Sequence, residues 1–353
     1  MSFKSLFSKT VAAVAVSQVV LVDAFRLQPD NAKRLDATDA VFPGAGATIL
    51  QHPADWSRNI FPIPVHSHND YWRDVPILDA LANGVYSMES DVWLNPDDKE
   101  LYVGHDPFAL SRERTFDKLT LRPLKKAIDQ ANEANHIHSN SPEAKFFANL
   151  QNQSYSQINT SSTSRVGFYS AGVGLGTPLQ LLIDIKTDGN ETFPYIVKCL
   201  QPLADQGYLT KYDAKTNKTI PGPITIIGTG NTPINQLINL PSPRFVYFDC
   251  PLGKLDAPFT VNGTSHSYDH TICGIASTNL GSITNWKGID NATDDQRKNI
   301  SVAIDQAHSY NIKTRIWDTP NWPTYARDNV NKLLLEVGSD WINADDLSAI
   351  ASF

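Results

Sequence analysis

From residue 61 onward the chain repeats one pattern: a short apolar run, a polar cluster, then an amphipathic stretch of helical period. Candidate strands are residues 63–66, 85–91, 101–103, 180–185, 225–228, 245–248, 314–317 and 341–343. Most lack the period-2 alternation of a half-solvated strand, as expected for parallel strands buried on both faces. Helical stretches at 75–83, 121–133, 194–206, 294–310 and 326–337 separate several of them. Gly84 and Gly338 stand just past apolar helical runs, where a left-handed cap residue is wanted. Alternation of this kind predicts an α/β fold with a parallel sheet. The strand count and the length favour a closed (β/α)8 TIM barrel over an open doubly wound sheet. No Gly-x-Gly-x-x-Gly follows the first strand, which argues against a dinucleotide site.

Three polar clusters end early apolar runs: His66-Ser67-His68-Asn69-Asp70, Glu89-Ser90-Asp91 and Gly104-His105-Asp106. A fourth is Asp184-Ile185-Lys186-Thr187. In a (β/α)8 barrel the carboxyl ends of the strands converge on one mouth. Side chains two apart on a strand face the same way, so Glu89 pairs with Asp91, and Asp184 with Lys186. A hard cation takes oxygen ligands, and Glu89, Asp91 and Asp184 supply three for one Mg²⁺ or Ca²⁺. His68 and His105 then form a proton-transfer pair, because imidazole titrates near neutral pH. Lys186 would neutralise a bound phosphate. The set points to metal-dependent phosphodiester chemistry.

These residues resemble known families. His68-Asn69-Asp70-Tyr71, Glu89-Ser90-Asp91-Val92-Trp93 and Gly104-His105 are similar to the catalytic pattern of phosphatidylinositol-specific phospholipase C. Asp184-Ile185-Lys186-Thr187 is closer to the glycerophosphodiester phosphodiesterases and the venom-type sphingomyelinases D. Arg315-Ile316-Trp317-Asp318-Thr319 and Asp340-Trp341-Ile342-Asn343-Ala344-Asp345 resemble the last two strands of that superfamily. The combination most resembles the fungal family of altered inheritance of mitochondria protein 6, over about residues 64–347. The resemblance implies a PLC-like phosphodiesterase barrel with catalytic histidines, a metal and a phosphate-binding lysine. It implies a glycerophosphodiester or phospholipid-type substrate, with Trp317 beside the headgroup.

The chain departs from the family patterns in two places. His66-Ser67-His68 replaces the His-Arg-Gly of the glycerophosphodiesterases, and Asp106 stands where phospholipase C has glycine. His66 and His68 both remain candidates for the catalytic base. The following Asn69 favours His68, leaving His66, with Asn69 and Asp106, as substrate-side or supporting groups.

Residues 1–24 read as a signal peptide: Lys4 and Lys9, an apolar run over 10–22, then Val22-Asp23-Ala24. That run is short and interrupted, so no transmembrane anchor is expected. Residues 25–60 read as a propeptide and N-terminal extension, with a dibasic cut after Lys33-Arg34, and 61–353 as the barrel. Seven Asn-x-Ser/Thr triplets begin at Asn152, Asn159, Asn190, Asn217, Asn262, Asn291 and Asn299. Together these predict a secreted glycoprotein, extracellular, wall-bound or vacuolar. In an oxidising compartment two of the three cysteines can pair, with Cys250 and Cys273 the nearest pair. The net charge of −7 and the absence of a Lys/Arg block exclude a nucleic-acid surface. A lipid phosphodiester substrate would bring peripheral contact with a membrane. Two other functions stay open: a metal-dependent amidohydrolase-type barrel, which also begins with His-x-His, and a non-catalytic barrel that binds a lipid headgroup.

Overall fold

Eight parallel strands close on one another in the computed structural model, which describes Ser57 and residues 60–133, 167–169 and 178–353. They are β1 (Ile63–Ser67), β2 (Val85–Leu94), β3 (Leu179–Ile185), β4 (Ile224–Gly230), β5 (Val246–Pro251), β6 (Cys273–Asn279), β7 (Thr314–Trp317) and β8 (Trp341–Ala344). Each pairs in parallel with the next, and β1 joins β8 on one side and β2 on the other, which closes the barrel. Around it lie α1 (Leu78–Ala82), α2 (Arg122–Glu133), α3 (Gly189–Asp205), α4 (Ile234–Ile238), α5 (Asp294–Ser309), α6 (Thr324–Glu336) and α7 (Leu347–Ala351). The leader, the Lys33-Arg34 pair and the polar stretch at 135–164 with Asn152 and Asn159 lie outside the described residues.

The strands are apolar on both faces because one face meets the barrel interior and the other the helices. Nine of the ten residues of β2 are buried. Gly84 and Gly338 have φ of 77° and 88°, so both take the left-handed conformation expected of them. Helix α5 starts on a capping box, with Thr293 and Gln296 bonding reciprocally to each other's backbone.

Three features differ from the sequence expectation. Residues 101–103 form a strand, but it runs antiparallel to the far end of β2 and lies outside the closed barrel. The eighth barrel strand is instead β6. Helix α3 begins at Gly189, not at Pro194. Pro194 leaves the Asn190 carbonyl without its helical donor, and Gln236 Nε2 donates to that oxygen at 3.1 Å. Finally, no helix covers the link from β5 to β6. A hairpin of 259–261 and 264–266 fills that link, and the Cys250–Cys273 disulfide ties the two strands together. Cys199 is free and exposed.

Candidate active site at the barrel mouth

Glu89 and Asp91 project from β2 on the same face, and Asp91 lies directly across from Asp184 on β3. One carboxylate oxygen from each of Glu89, Asp91 and Asp184 falls within 4.8 Å of the others. Asp184 can pack there because residue 230 is glycine. A Cβ at Gly230 would stand 1.9 Å from Asp184 Oδ1, and its φ of 61° suits glycine. Lys186 bridges the pair, with Nζ 2.7 Å from Asp184 and 3.0 Å from Asp91.

His68 and His105 stand on the two flanks. His68 Nε2 is 3.6 Å from Glu89 and its Nδ1 is 2.8 Å from Asp345 Oδ1. A carboxylate only accepts, so Nδ1 carries the proton and Nε2 presents a lone pair to the mouth. His105 reaches the site because the antiparallel strand at 101–103 turns the chain back toward the mouth. Gly104 N donates to the Asp91 carbonyl, and His105 Nδ1 lies 3.6 Å from Asp91 Oδ2. Asn69, with φ of 50°, turns its backbone N–H to Glu89 Oε2 at 3.2 Å.

The remaining sequence candidates separate. His66 is fully buried below Glu89. Its Nδ1 meets Ser87 Oγ at 2.7 Å, and its Nε2 has no hydrogen-bond partner. Burial, then Arg315, pushes its pKa down to about 3, so it is neutral. Asp106 caps the next turn: its Oδ1 accepts from Phe108 N and Ala109 N. It shapes the loop that follows His105, a supporting position. Trp317 ends β7 at the rim.

Four residues without an assigned role in the sequence reading join the site. Tyr71 OH lies 2.8 Å from Asp91 Oδ2 and 2.6 Å from Asn69 Oδ1. Arg315 reaches within 3.6 Å of Glu89 and donates to Asn343 Oδ1 at 3.0 Å. Asp345 holds His68. Asp249, at the end of β5, accepts from Ser277 Oγ at 2.6 Å and Thr229 Oγ1 at 3.0 Å, while its other oxygen is unpaired. An acid at the carboxyl end of a candidate strand was the available signal for Asp249.

The electrostatics follow from crowding. Burial, then the Glu89 and Asp184 charges, pushes Asp91 up to about 7 against the pull of Lys186. Burial also raises Asp184 and Asp249, against Lys186 in the first case and Arg315 in the second. For Glu89 burial acts upward too, but Arg315 and the histidines outweigh it and hold the carboxyl well below its usual range. Lys186 is raised: its burial is overcome by Asp184 and Asp91. An all-oxygen, carboxylate-rich set with an orphaned oxygen nearby fits a hard divalent cation better than a histidine-rich transition-metal site. Among the described residues no other group of His, Cys, Asp and Glu has metal-ligand proximity. His266 lies in the hairpin, stacked on Phe259, so it adds no ligand here.

A family model described as the AIM6-like phosphodiesterase domain matches residues 54–155 and 145–249. The altered inheritance of mitochondria protein 6 homolog of Arthroderma benhamiae is 35% identical over 314 residues, covering 86% of this chain and 88% of that protein. Altered inheritance of mitochondria protein 6 of Eremothecium gossypii is 31% identical over 301 residues, 82% of this chain and 69% of that one. The Saccharomyces cerevisiae protein of the same name is 33% identical over 322 residues, with 85% and 73% covered. No solved structure matches the chain.

Proposed function

This chain belongs to the AIM6-like phosphodiesterase family, and from that premise we propose that it is a secreted, metal-dependent phosphoric diester hydrolase. Its substrate would be a glycerophosphodiester or a phospholipid-type ester. The observation that carries this reading is the convergence of Glu89, Asp91 and Asp184 within 4.8 Å, with an imidazole on each flank.

Glu89, Asp91 and Asp184 would hold one Mg²⁺ or Ca²⁺, which supplies charge neutralisation at a non-bridging phosphate oxygen. Lys186 has three N–H donors; two serve Asp184 and Asp91, and the third is free for a phosphate oxygen. His68 Nε2 takes the proton of the attacking hydroxyl, with Asp345 fixing the tautomer and supporting the cation that forms. His105, half exposed beside Asp91, gives a proton to the leaving oxygen. Arg315 keeps Glu89 ionised, and the Asn69 backbone N–H holds its Oε2 in place.

Secretion is part of the same proposal. Its support is the leader-like N-terminus, the Cys250–Cys273 disulfide, and the exposure of all five described sequon asparagines, Asn190, Asn217, Asn262, Asn291 and Asn299.

The test is ³¹P NMR of glycerophosphodiesters and lysophospholipids with purified glycosylated protein in Mg²⁺, Ca²⁺ or EDTA. Metal-dependent turnover is expected to fall about 10²- to 10⁴-fold in both His68→Ala and His105→Ala. Tight metal binding without turnover of any substrate would replace the enzyme with a headgroup-binding barrel.

A further inference from the structure

Seven large aromatic side chains are exposed among the described residues, and five of them stand at or beyond the carboxyl ends of β1, β2 and β7: three on the loops, one at the last residue of β7 and one in the first turn of α6. These are Trp72, Phe108, Trp317, Trp322 and Tyr325. Phe108 is 99% exposed and Trp322 is 80% exposed. The strands that carry them are contiguous with β8 around the barrel, so the five form an arc over one half of the mouth. The arc is joined to the candidate site. Trp72 lies 5.4 Å from the His105 ring, and Asn321, next to Trp322, donates to Asp345, which holds His68. The exposed aliphatic side chains, by contrast, are single and dispersed: Ile220, Val302 and Leu335 lie on different elements and Ile289 in a loop.

Keeping a bare phenylalanine and tryptophans in water is unfavourable, and contiguous exposed apolar groups mark an interaction surface. Aromatic rings, tryptophan and tyrosine above all, favour the headgroup level of a bilayer, where an apolar ring and a polar edge are both satisfied. The chain has net charge −7 and no Lys/Arg block, so attraction to anionic lipid does not drive the contact.

We infer that this arc is a membrane-docking surface that seats the mouth on a zwitterionic bilayer and takes a phosphodiester presented in that bilayer. The inference rests on the proposed reading for the substrate's chemistry, but the docking itself does not depend on turnover. Trp72 and Phe108 enter at one end of the arc, Trp322 and Tyr325 at the other. The phosphate level then lies near His68 and His105, below the inserted rings. Insertion of aromatic rings, unlike adsorption through charge, resists salt.

The test measures binding to phosphatidylcholine vesicles by flotation and by tryptophan quenching with brominated lipid, using the full protein with Mg²⁺ or Ca²⁺. Phe108→Ser and Trp322→Ser are made singly and together, with thermal melts to verify folding. Wild-type binding is expected to be unchanged between low and high salt, and each substitution to weaken it about tenfold. Turnover of a soluble glycerophosphodiester is expected to stay at the wild-type level in both variants. Absent vesicle binding, binding lost in high salt, or binding equal in the double variant and wild type would overturn the inference. Salt-resistant, variant-sensitive binding without any turnover would sustain docking while refuting the hydrolase.

Discussion

Replacing Asp91 by asparagine is expected to stabilise the metal-free protein, although Asp91 is central to the candidate site. Its pKa stands at about 7 against an ordinary 3.8, raised by burial and then by the Glu89 and Asp184 charges. The folded state therefore holds a proton that the unfolded state releases between about pH 4 and pH 7. Stability is lost as pH rises through that window, and by pH 8 the penalty reaches about 4 kcal/mol. Asparagine removes the charge. That penalty is already net of the pull of Lys186 and of the Tyr71 bond, both of which lower the pKa against burial. Asparagine fits the site less well than a protonated carboxyl, so the gain is on the order of 2–4 kcal/mol, or roughly 4–8 °C in melting temperature for a barrel of this size. Thermal unfolding in EDTA at pH 8 and pH 5 reads it directly. The variant should melt higher at pH 8, and the advantage should shrink by pH 5, where wild-type Asp91 is protonated. Asp70, raised to about 6 by burial, has the same sign but is common to both proteins and cancels. Excess Mg²⁺ or Ca²⁺ should raise the wild-type midpoint more than that of the variant. A variant less stable than wild type at pH 8 in EDTA, or a difference independent of pH, would refute the reasoning.

Asp345→Asn should lower kcat about 10- to 100-fold with KM little changed, since it removes a charged acceptor from the 2.8 Å bond to His68 Nδ1. Nitrogen NMR should show the His68 tautomer mixed; an unaltered tautomer with full kcat would exclude the positioning role. Cys273→Ser opens the disulfide across 23 residues and should destabilise by about 3 kcal/mol, whereas Cys199→Ser at an exposed site should be nearly neutral. Equal denaturation midpoints for the two cysteine variants would show that the bridge constrains little.

The barrel was legible because its strands and helices carry opposite hydrophobic periods, and the site because polar clusters ended those runs. What escaped was settled by partners distant in sequence. Strand β6 reads Cys-Gly-Ile-Ala-Ser-Thr-Asn, too small and polar to announce a buried strand. Its small residues answer large neighbours: a Cβ on Gly274 would meet Ile227 at 2.6 Å and Tyr247 at 2.9 Å. The run at 101–103 is as apolar as a barrel strand, but the six residues, 95–100, that join it to β2 are too few for a crossover, so it pairs antiparallel. Asp106 looked like part of a catalytic cluster by adjacency to His105, yet its Oδ1 is taken up by the turn it caps. Asp249 gains meaning only through Thr229 and Ser277, which the barrel brings in from its two neighbouring strands.

The charges of the mouth lead to one more consequence. Glu89, Asp91, Asp184 and Asp249 face Lys186 and Arg315, while His66 is neutral and Asp345 is turned to His68; within the inner cluster, four anions against two cations leave two negative charges unmatched when all the acids are ionised. Protons or one divalent cation can supply the balance, so the two must compete. Asp91, at about 7, is mostly protonated at pH 6 and mostly ionised at pH 8.5. Binding of Mg²⁺ or Ca²⁺ at pH 6 should therefore release close to one proton from Asp91, with any contribution from Asp184 and Asp249 adding to it. At pH 8.5 the Asp91 contribution should vanish, and apparent affinity should rise between the two. Titration calorimetry in buffers of different ionisation enthalpy counts these protons directly, without any substrate. Metal binding that releases none at pH 6 would mean the ion is seated away from Asp91, and the carboxylate cluster would then need another explanation than a cation site.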